Sequence, residues 1–509
     1  MLPVARTVEN AGAGSSKKEK QIMKNPWLTL TILIACLSVS AGPVIHRVGI
    51  RENLEFLEPG RPERMDLYYP ADPRPGEKFP GIVIIHGGGW TGGIRNAERE
   101  VNIGSNLARM GYVSISIDYR LATPANLKKY GKTFPVNIQD CKTAVQWLRK
   151  HAEELKLDPS KIGTIGGSAG GHLATLTAVA GPETGLEPAA PYPGIDTSVQ
   201  ACVNLYGVMD FAGFRNSRTA VKKSRERVMG CPPSTENLKL WQSASPIHLV
   251  DPKDPPILQI HAKADTTVNY NQAVIMKEEL DRKKVYNELI LLDGYGHMFS
   301  LQRWRGKPLP ELVRQRVLAF YDRFLKGLTP AESAERFAAL EAFEKNHPEA
   351  AKYGISAVSS GKIEKADAEE MTVSLPDGGK KVFGKAFDMK LEKAEPADIS
   401  QLKDQLPVVV QGDFSGKDTV KCSRIFLAGR NRSRIPGRTG ILRKQEDGWA
   451  LALTAGKKVT LRKLLISEQT KLFTCVPAKM KDLAEFQVIT LQARDYGDCR
   501  KIYYGLFFK

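Results

Sequence analysis

Ser168 is the residue whose surroundings in this sequence best fit a nucleophile. It stands between glycines in Gly166-Gly-Ser168-Ala-Gly170, where a short strand-like run gives way to a helix-like one. A sharp strand-to-helix turn of this kind strains the serine, and only glycines fit on either side. A serine hydroxyl alone is a weak nucleophile, so it needs a base and a carboxylate that orients the base. We predict Ser168 as the nucleophile and expect both partners elsewhere in the chain.

A second glycine-rich turn could stabilise negative charge. The β-branched run at 82–85 ends in His86-Gly87-Gly88-Gly89-Trp90. Glycines after a central strand can turn bare backbone N–H groups toward a carbonyl oxygen, and a side chain there would block the approach. We predict an oxyanion hole formed by the N–H groups of Gly87, Gly88 and Ala169.

The two motifs together resemble the His-Gly-Gly-Gly carboxylesterases of the α/β-hydrolase superfamily, which are hormone-sensitive-lipase-like or similar to feruloyl and acetyl-xylan esterases. The resemblance covers about residues 45–328 and implies the chain order serine, acid, histidine. Asp265 matches the family's His-Gly-x-x-Asp-x-x-Val pattern, with Ala262 in place of the glycine. His297 follows a predicted strand and is preceded by a glycine. The resemblance implies Asp265 and His297 as triad partners, with Asp293 as the alternative acid.

Apolar strands alternate with amphipathic helices between residues 43 and 328. A helix is predicted at 96–109 before a strand at 112–118, and a helix at 271–282 before a strand at 287–292. This alternation indicates parallel strands with helices on both faces. We expect an α/β fold with a doubly wound, mostly parallel sheet. The charged segment 210–244 is expected to be irregular, either as a lid over the site or as a solvated surface excursion.

The 509-residue length predicts further domains. We expect a leader at 1–42, a catalytic domain at 43–328, a helical linker at 329–370 and a smaller β-rich C-terminal region at 371–509. A weak internal echo, in which 397–404 resembles 478–485, indicates two small β-barrel-like units as one arrangement of that region.

The leader resembles a signal peptide. Lysines precede the apolar run 27–39, and small residues follow it up to Gly42. The run is shorter than the roughly 20 residues of a membrane-spanning helix. We therefore expect a secreted or periplasmic protein with no stable membrane span. A lipoprotein anchor at Cys36 and an uncleaved anchor remain alternatives.

Basic residues concentrate in the C-terminal region. The formal net charge is +18, and residues 421–509 contain 19 Lys and Arg against 7 Asp and Glu. The densest group consists of Arg424, Arg430, Arg432, Arg434 and Arg438. Such a group is either a solvated face or a binding surface for an acidic polymer such as uronate-rich glycan, for a membrane surface or for nucleic acid. Export argues against nucleic acid as the partner.

The cysteines do not indicate a metal site. No CxxC or His/Cys ligand spacing is present in the sequence. Buried free thiols are the default, with a Cys422 disulfide to Cys475 or Cys499 as the alternative. We expect no metal and no organic cofactor, because a catalytic triad of serine, histidine and a carboxylate requires neither.

The motifs predict a serine carboxylic-ester hydrolase that acts through an acyl-enzyme. Family resemblance and export extend this prediction to deacetylation or deferuloylation of polysaccharides, so the expected partner is a small-molecule or glycan ester.

Two alternative functions remain open. A prolyl-oligopeptidase-type serine peptidase shares the fold and triad order but usually lacks the glycine loop. A non-catalytic binding protein on a hydrolase scaffold is disfavoured by the intact triad positions.

Overall fold

The architecture comes from a computed structural model. It describes residues 43–213, 219–348, 351, 353–366, 370–376, 378–403, 407–413, 419–427, 438–446, 448–455, 458–466, 470–478, 488–496 and 500–508. The predicted leader with Cys36, three of the clustered arginines (Arg430, Arg432 and Arg434) and Cys499 lie outside these ranges. Within them, no helix combines the length and apolar character needed to cross a membrane.

An eight-stranded sheet organises the described residues between 43 and 328. Its strands are β1 (Val48–Leu54), β2 (Met65–Pro70), β3 (Phe79–Ile85), β4 (Val113–Ile117), β5 (Leu157–Gly167), β6 (Ala201–Leu205), β7 (Ile257–Ala262) and β8 (Asn287–Leu292). Their spatial order is β1-β2-β4-β3-β5-β6-β7-β8. The β1–β2 and β2–β4 pairs are antiparallel, and the other pairs are parallel. The predicted doubly wound, mostly parallel sheet is confirmed.

Helices cover both faces of this sheet. They are α1 (Glu98–Arg109), α2 (Pro124–Tyr130), α3 (Val136–Lys150), α4 (Ala169–Val179), α5 (Thr219–Met229), α6 (Leu238–Ser243), α7 (Asn271–Arg282), α8 (Leu312–Lys326) and α9 (Pro330–Asn346). Side chains of β3 alternate between two cores, because successive residues of a strand point to opposite faces. Val83 packs in one core with Ile138 of α3, and Ile84 packs in the other with Val317 of α8.

The insertion at 210–244 is more regular than expected. It contains α5 and α6, so the prediction of irregular structure is wrong over those helices. The buried guanidinium of Arg225 donates to the backbone carbonyls of Asp210 and Gly213 at 3.1 and 2.8 Å. These bonds tie α5 to the segment that follows β6.

The C-terminal region is β-rich, as predicted. A short hairpin of β9 (Arg303–Trp304) and β10 (Lys307–Pro308) precedes it in the chain. The described strands of the C-terminal region are β11 (Tyr353–Ala366), β12 (Glu370–Ser374), β13 (Lys380–Pro396), β14 (Pro407–Asp413), β15 (Thr419–Leu427), β16 (Arg438–Gln445), β17 (Gly448–Ala455), β18 (Lys458–Leu465), β19 (Lys471–Ala478), β20 (Val488–Tyr496) and β21 (Arg500–Phe508). The predicted helical linker at 329–370 is wrong in its second half, because α9 ends at Asn346 and β11 already pairs within the C-terminal sheet.

Strand pairing closes two five-stranded rings among these described strands. One ring runs β11-β12-β13-β21-β20 and back to β11, and the other runs β14-β15-β18-β17-β16 and back to β14. Strand β19 joins them by pairing with both β13 and β15. The second ring is formed by consecutive strands, whereas the first ring joins β11, β12 and β13 to the distant hairpin of β20 and β21. The pairing therefore gives two barrel-like units, and the second lies within the stretch of chain that separates the two parts of the first.

The C-terminal region packs directly on the catalytic domain. The buried Arg109 at the end of α1 donates from Nε to the hydroxyl of Tyr353 in β11 at 3.0 Å. The same guanidinium donates from Nη1 to the backbone carbonyl of His46 at 3.0 Å.

In the C-terminal region itself, Cys422 is a buried free thiol, in line with the default expectation. The side chain of Cys475 lies outside the described part of the chain.

Candidate active site

Ser168 lies at the turn between β5 and α4. Its backbone has φ 59° and ψ −121°, a conformation that strains an L-residue. A Cβ on Gly166 would stand 2.2 Å from the carbonyl oxygen of Gly170, and one on Gly170 would stand 2.0 Å from that of Ile85. The close approach of these backbones therefore requires glycine at both positions, and it produces the sharp turn that the motif predicts.

Three predicted side chains meet at one edge of the sheet. His297, in the loop after β8, has Nε2 at 2.9 Å from Ser168 Oγ. Its Nδ1 lies 2.6 Å from Oδ2 of Asp265, which follows β7. The carboxyl ends of parallel strands share one edge, so residues far apart in sequence converge there. When Nδ1–H donates to the carboxylate, Nε2 is free to accept the serine proton.

Asp265 is buried and strongly hydrogen-bonded. Its Oδ1 accepts the backbone N–H groups of Thr267 and Val268 at 2.8 and 3.0 Å. Nε2 of His261 stands 3.3 Å from Oδ2, so a second imidazole faces the carboxylate. Burial raises the pKa of the Asp265 carboxyl, but the bonds from His261, His297 and Thr267 outweigh burial and hold that pKa well below its ordinary value. The group is therefore ionised at neutral pH. The contact of His261 could not be predicted from the sequence, where this residue is only the first of the pattern that contains Asp265.

The alternative acid does not join this chain of hydrogen bonds. The Asp293 side chain is 79% exposed and pairs with Lys263 Nζ at 3.0 Å. The structure thus brings Asp265, and not Asp293, to the imidazole.

The glycine loop lies beside the serine. A Cβ on Gly87 would stand 3.3 Å from the Cβ of Ser168, which places the loop against the nucleophile. Gly88 has φ +117°, and a Cβ there would stand 2.1 Å from the carbonyl oxygen of Gly92, so a larger residue does not fit. In the described residues, the N–H groups of Gly87, Gly88 and Ala169 donate to no other protein group. Such free donors are the means by which an oxyanion is bound.

A cavity of about 610 Å³ opens onto these groups. Val221 and Ser224 of α5 line it together with Ser168 and His297. The insertion therefore covers part of the cavity, which favours the lid interpretation over the solvated excursion. His172 connects the glycine loop to the insertion, because its Nδ1 accepts from Trp90 Nε1 at 3.2 Å and its ring stacks on Phe211.

A buried polar cluster beside the serine turn escaped sequence prediction. Arg99, in the first turn of α1, donates to the Tyr206 hydroxyl at 3.0 Å and to the Glu100 carboxylate at 2.8 Å. A Cβ on Gly167 would stand 2.7 Å from Arg99 Nη1, so the guanidinium packs against the end of β5. The Tyr206 ring meets the His297 ring edge-on, with centroids 4.8 Å apart. The charged pair soon after the glycine loop is visible in the sequence, but its inward orientation is not.

Part of the chain matches a protein-family model. Residues 65–280 match the BD-FAE family. The probable carboxylic ester hydrolase LipM of Mycobacterium tuberculosis (strain ATCC 25618 / H37Rv) is 32% identical over 222 residues, which are 43% of this chain and 49% of LipM. The esterase LipC of the same organism is 33% identical over 269 residues, which are 51% of this chain and 62% of LipC. The chain thus spans about half to three fifths of the length of these relatives.

Solved structures also resemble the chain. A truncated form of a carbohydrate esterase from gut microbiota is 26% identical with a TM-score of 0.43, covering 50% of this chain and 92% of that chain. The apo form of Thermogutta terrifontis esterase 2 is 26% identical with a TM-score of 0.43, covering 58% of this chain and 100% of that chain. The family match and the sequence relatives confirm the resemblance that the motifs imply.

Proposed function

We propose that this chain, which carries a BD-FAE domain and resembles the His-Gly-Gly-Gly carboxylesterases, is a serine carboxylic-ester hydrolase that acts through an acyl-enzyme. One observation carries the proposal: the hydrogen-bonded chain from Ser168 through His297 to Asp265 lies next to amides of the glycine loop that donate to no other group among the described residues. Relatives that are named as carboxylic ester hydrolases and esterases support it.

In the first half-reaction, Ser168 Oγ attacks the ester carbonyl carbon while its proton passes to His297 Nε2. The N–H groups of Gly87, Gly88 and Ala169 bind the oxyanion, and each such donor contributes about 3–4 kcal/mol to transition-state stabilisation. The Asp265 carboxylate, held ionised by its hydrogen bonds, stabilises the imidazolium. Collapse of the intermediate breaks the bond to the alcohol oxygen, which takes the proton from His297, and the acyl group stays on the serine.

Water completes the second half-reaction. It attacks the acyl carbon as His297 Nε2 takes one of its protons, and the same N–H groups hold the second oxyanion. The bond to Ser168 Oγ then breaks, and the oxygen recovers its proton from His297. The carboxylic acid leaves, and every step uses side chains and amides of this chain alone.

The substrate class and the location are part of the proposal. The leader at 1–42 supports export, and an exported enzyme of this family fits acetylated or feruloylated polysaccharide. N-terminal sequencing of the protein from a secreting host should find a start near Gly42. Turnover of acetylated and feruloylated glycans, against none by Ser168→Ala, would support the polysaccharide assignment.

The charge of residues 421–509 supports an acidic polymer as partner of the C-terminal region. Full-length Ser168→Ala protein should be retained on immobilised polygalacturonate and released by salt, with no retention on neutral dextran. Equal elution from both matrices would contradict this part.

A labelling experiment tests the esterase assignment. A fluorophosphonate should attach to Ser168 in the wild type, and p-nitrophenyl acetate should be hydrolysed. Ser168→Ala should lose the label and at least about 10⁴-fold in kcat, while Ser160→Ala, a change at an exposed serine of β5, should retain both. Absence of the label would favour a binding protein, and faster cleavage of a proline-peptide anilide than of the acetate would favour the peptidase.

A further inference from the structure

A short hairpin that begins six residues after the proposed catalytic histidine contributes exposed residues to the cavity lining, and we call this exposed part of the lining the cavity mouth. It consists of β9, β10 and the turn between them, and its first residues fold back through a bridge between Phe299 and Trp304. The Ser300 N–H donates to the carbonyl oxygen of Arg303 at 2.8 Å. Both Arg303 and Arg305 of this hairpin line the cavity.

The hairpin is held firmly by its neighbours. Trp304 Nε1 donates to the backbone carbonyl of His297 at 2.9 Å, so the hairpin is fixed to the loop of the proposed catalytic base. On the other side, Gln302 Oε1 accepts from Asn102 Nδ2 and Asn106 Nδ2 of α1 at 2.8 and 3.1 Å. The backbone that carries the two arginines is therefore positioned relative to Ser168 before any ligand binds.

Both guanidinium groups are available to a ligand. Arg303 and Arg305 are exposed, and neither forms an ion pair with any residue that the structure describes. Arg305 stacks over the ring of Trp304, with Cζ 5.5 Å from the centroid, which restricts its side chain without neutralising its charge.

The other charges around the cavity do not cancel this pair. The Arg99 guanidinium is already bonded to the Glu100 carboxylate, so those two charges offset each other. Glu98 is the opposing charge among the described residues that line the cavity. Two cations with no ion-pair partner in the described part of the chain, against one carboxylate, leave the mouth net positive. A site of this sign favours an anionic ligand.

We propose that Arg303 and Arg305 form a subsite for a carboxylate on the alcohol part of the substrate, so that esters of uronate sugars are preferred over esters of neutral sugars. The proposal rests on the esterase function. A polymeric alcohol is too large for the cavity and must leave through its mouth, past the hairpin. A guanidinium binds a carboxylate there by charge-assisted hydrogen bonds.

The test compares two methyl glycosides that differ only at C6: that of 3-O-acetyl-galacturonic acid, with its carboxylate free, and that of 3-O-acetyl-galactose. Wild-type kcat/KM should be about tenfold higher for the uronate, from two exposed charge pairs. In the Arg303→Gln/Arg305→Gln double variant this ratio should fall to near one. Lys307→Gln, an exposed change in the same hairpin outside the cavity lining, should keep the wild-type ratio.

A second measurement needs no variant. The wild-type ratio should fall toward one as the salt concentration rises, because salt screens exposed charges. A ratio near one in wild type at low salt, or a ratio that survives the double substitution, overturns the subsite. Under either result, continued hydrolysis of p-nitrophenyl acetate leaves the esterase proposal standing, whereas its absence refutes both proposals.

Discussion

Replacement of Asp265 by asparagine separates the role of the carboxylate from its position. In the wild type, Oδ1 accepts two backbone N–H groups, from Thr267 and Val268, while Oδ2 faces His297 Nδ1. The amide of Asp265→Asn must keep its oxygen toward the two N–H donors, because its NH₂ group cannot accept from them. The NH₂ group then faces His297 Nδ1 and donates to it. The ring must carry its proton on Nε2, so it can no longer accept the proton of Ser168.

The size of the effect follows from this tautomer. A carboxylate-to-amide change that leaves the geometry intact but imposes the wrong tautomer lowers kcat by about 10⁴ in the serine-protease triad. That factor corresponds to about 5.5 kcal/mol of activation free energy. We expect a loss of the same order for Asp265→Asn, with KM little changed, because the carboxylate touches the imidazole and not the substrate.

The assay is the steady-state hydrolysis of p-nitrophenyl acetate, with thermal unfolding to establish that the variant is folded. Asp293→Asn is the matched control, because Asp293 is exposed and bonded to Lys263. It should keep wild-type kcat. If Asp265→Asn retains more than about a tenth of wild-type kcat, or if Asp293→Asn loses as much, the assignment of Asp265 as the orienting carboxylate is refuted.

Three further changes probe the surroundings of the site. Gly170→Ala places a Cβ 2.0 Å from a carbonyl oxygen of β3, so it should lower the unfolding free energy by more than about 3 kcal/mol; unchanged thermal unfolding would contradict the close approach. Tyr206→Phe removes the hydroxyl that accepts from Arg99 and donates to the Phe299 carbonyl at 2.6 Å, so chemical denaturation should show a loss of about 1–3 kcal/mol. Because the pKa of Asp265 is lower in the folded state than in the unfolded state, its ionised carboxylate stabilises the fold above the ordinary carboxyl pKa of about 4. This stabilisation is lost as the pH falls below that value. Wild type should therefore lose more unfolding free energy than Asp265→Asn between pH 6 and pH 2, and parallel curves would contradict this.

Much of the catalytic domain could be predicted from local patterns. The helix Asn271–Arg282 and the strand Asn287–Leu292 occur with the predicted bounds, because their apolar residues recur at the helix and strand periods. The prediction of a helical linker is wrong where β11 begins. This strand pairs with β20, which lies far along the chain, and such a distant pairing gives little signal in the residues of β11 itself. Closure of the first C-terminal ring by β20 and β21 depends on the same kind of distant pairing.

By itself, the sequence determined which groups could take part in catalysis: a serine between two glycines, a glycine loop, and an acid and a histidine in the expected chain order. The two glycine motifs are visible within short stretches of sequence, whereas the order of acid and histidine comes from the family resemblance that those motifs carry. Only the tertiary structure decided which carboxylate meets His297, that His261 shares it, that Arg99 lies inward beside the serine turn, and that Arg303 and Arg305 line the cavity mouth. Each of these depends on distances between segments far apart in the chain, which parallel strand register and helix packing set and residue identity alone does not.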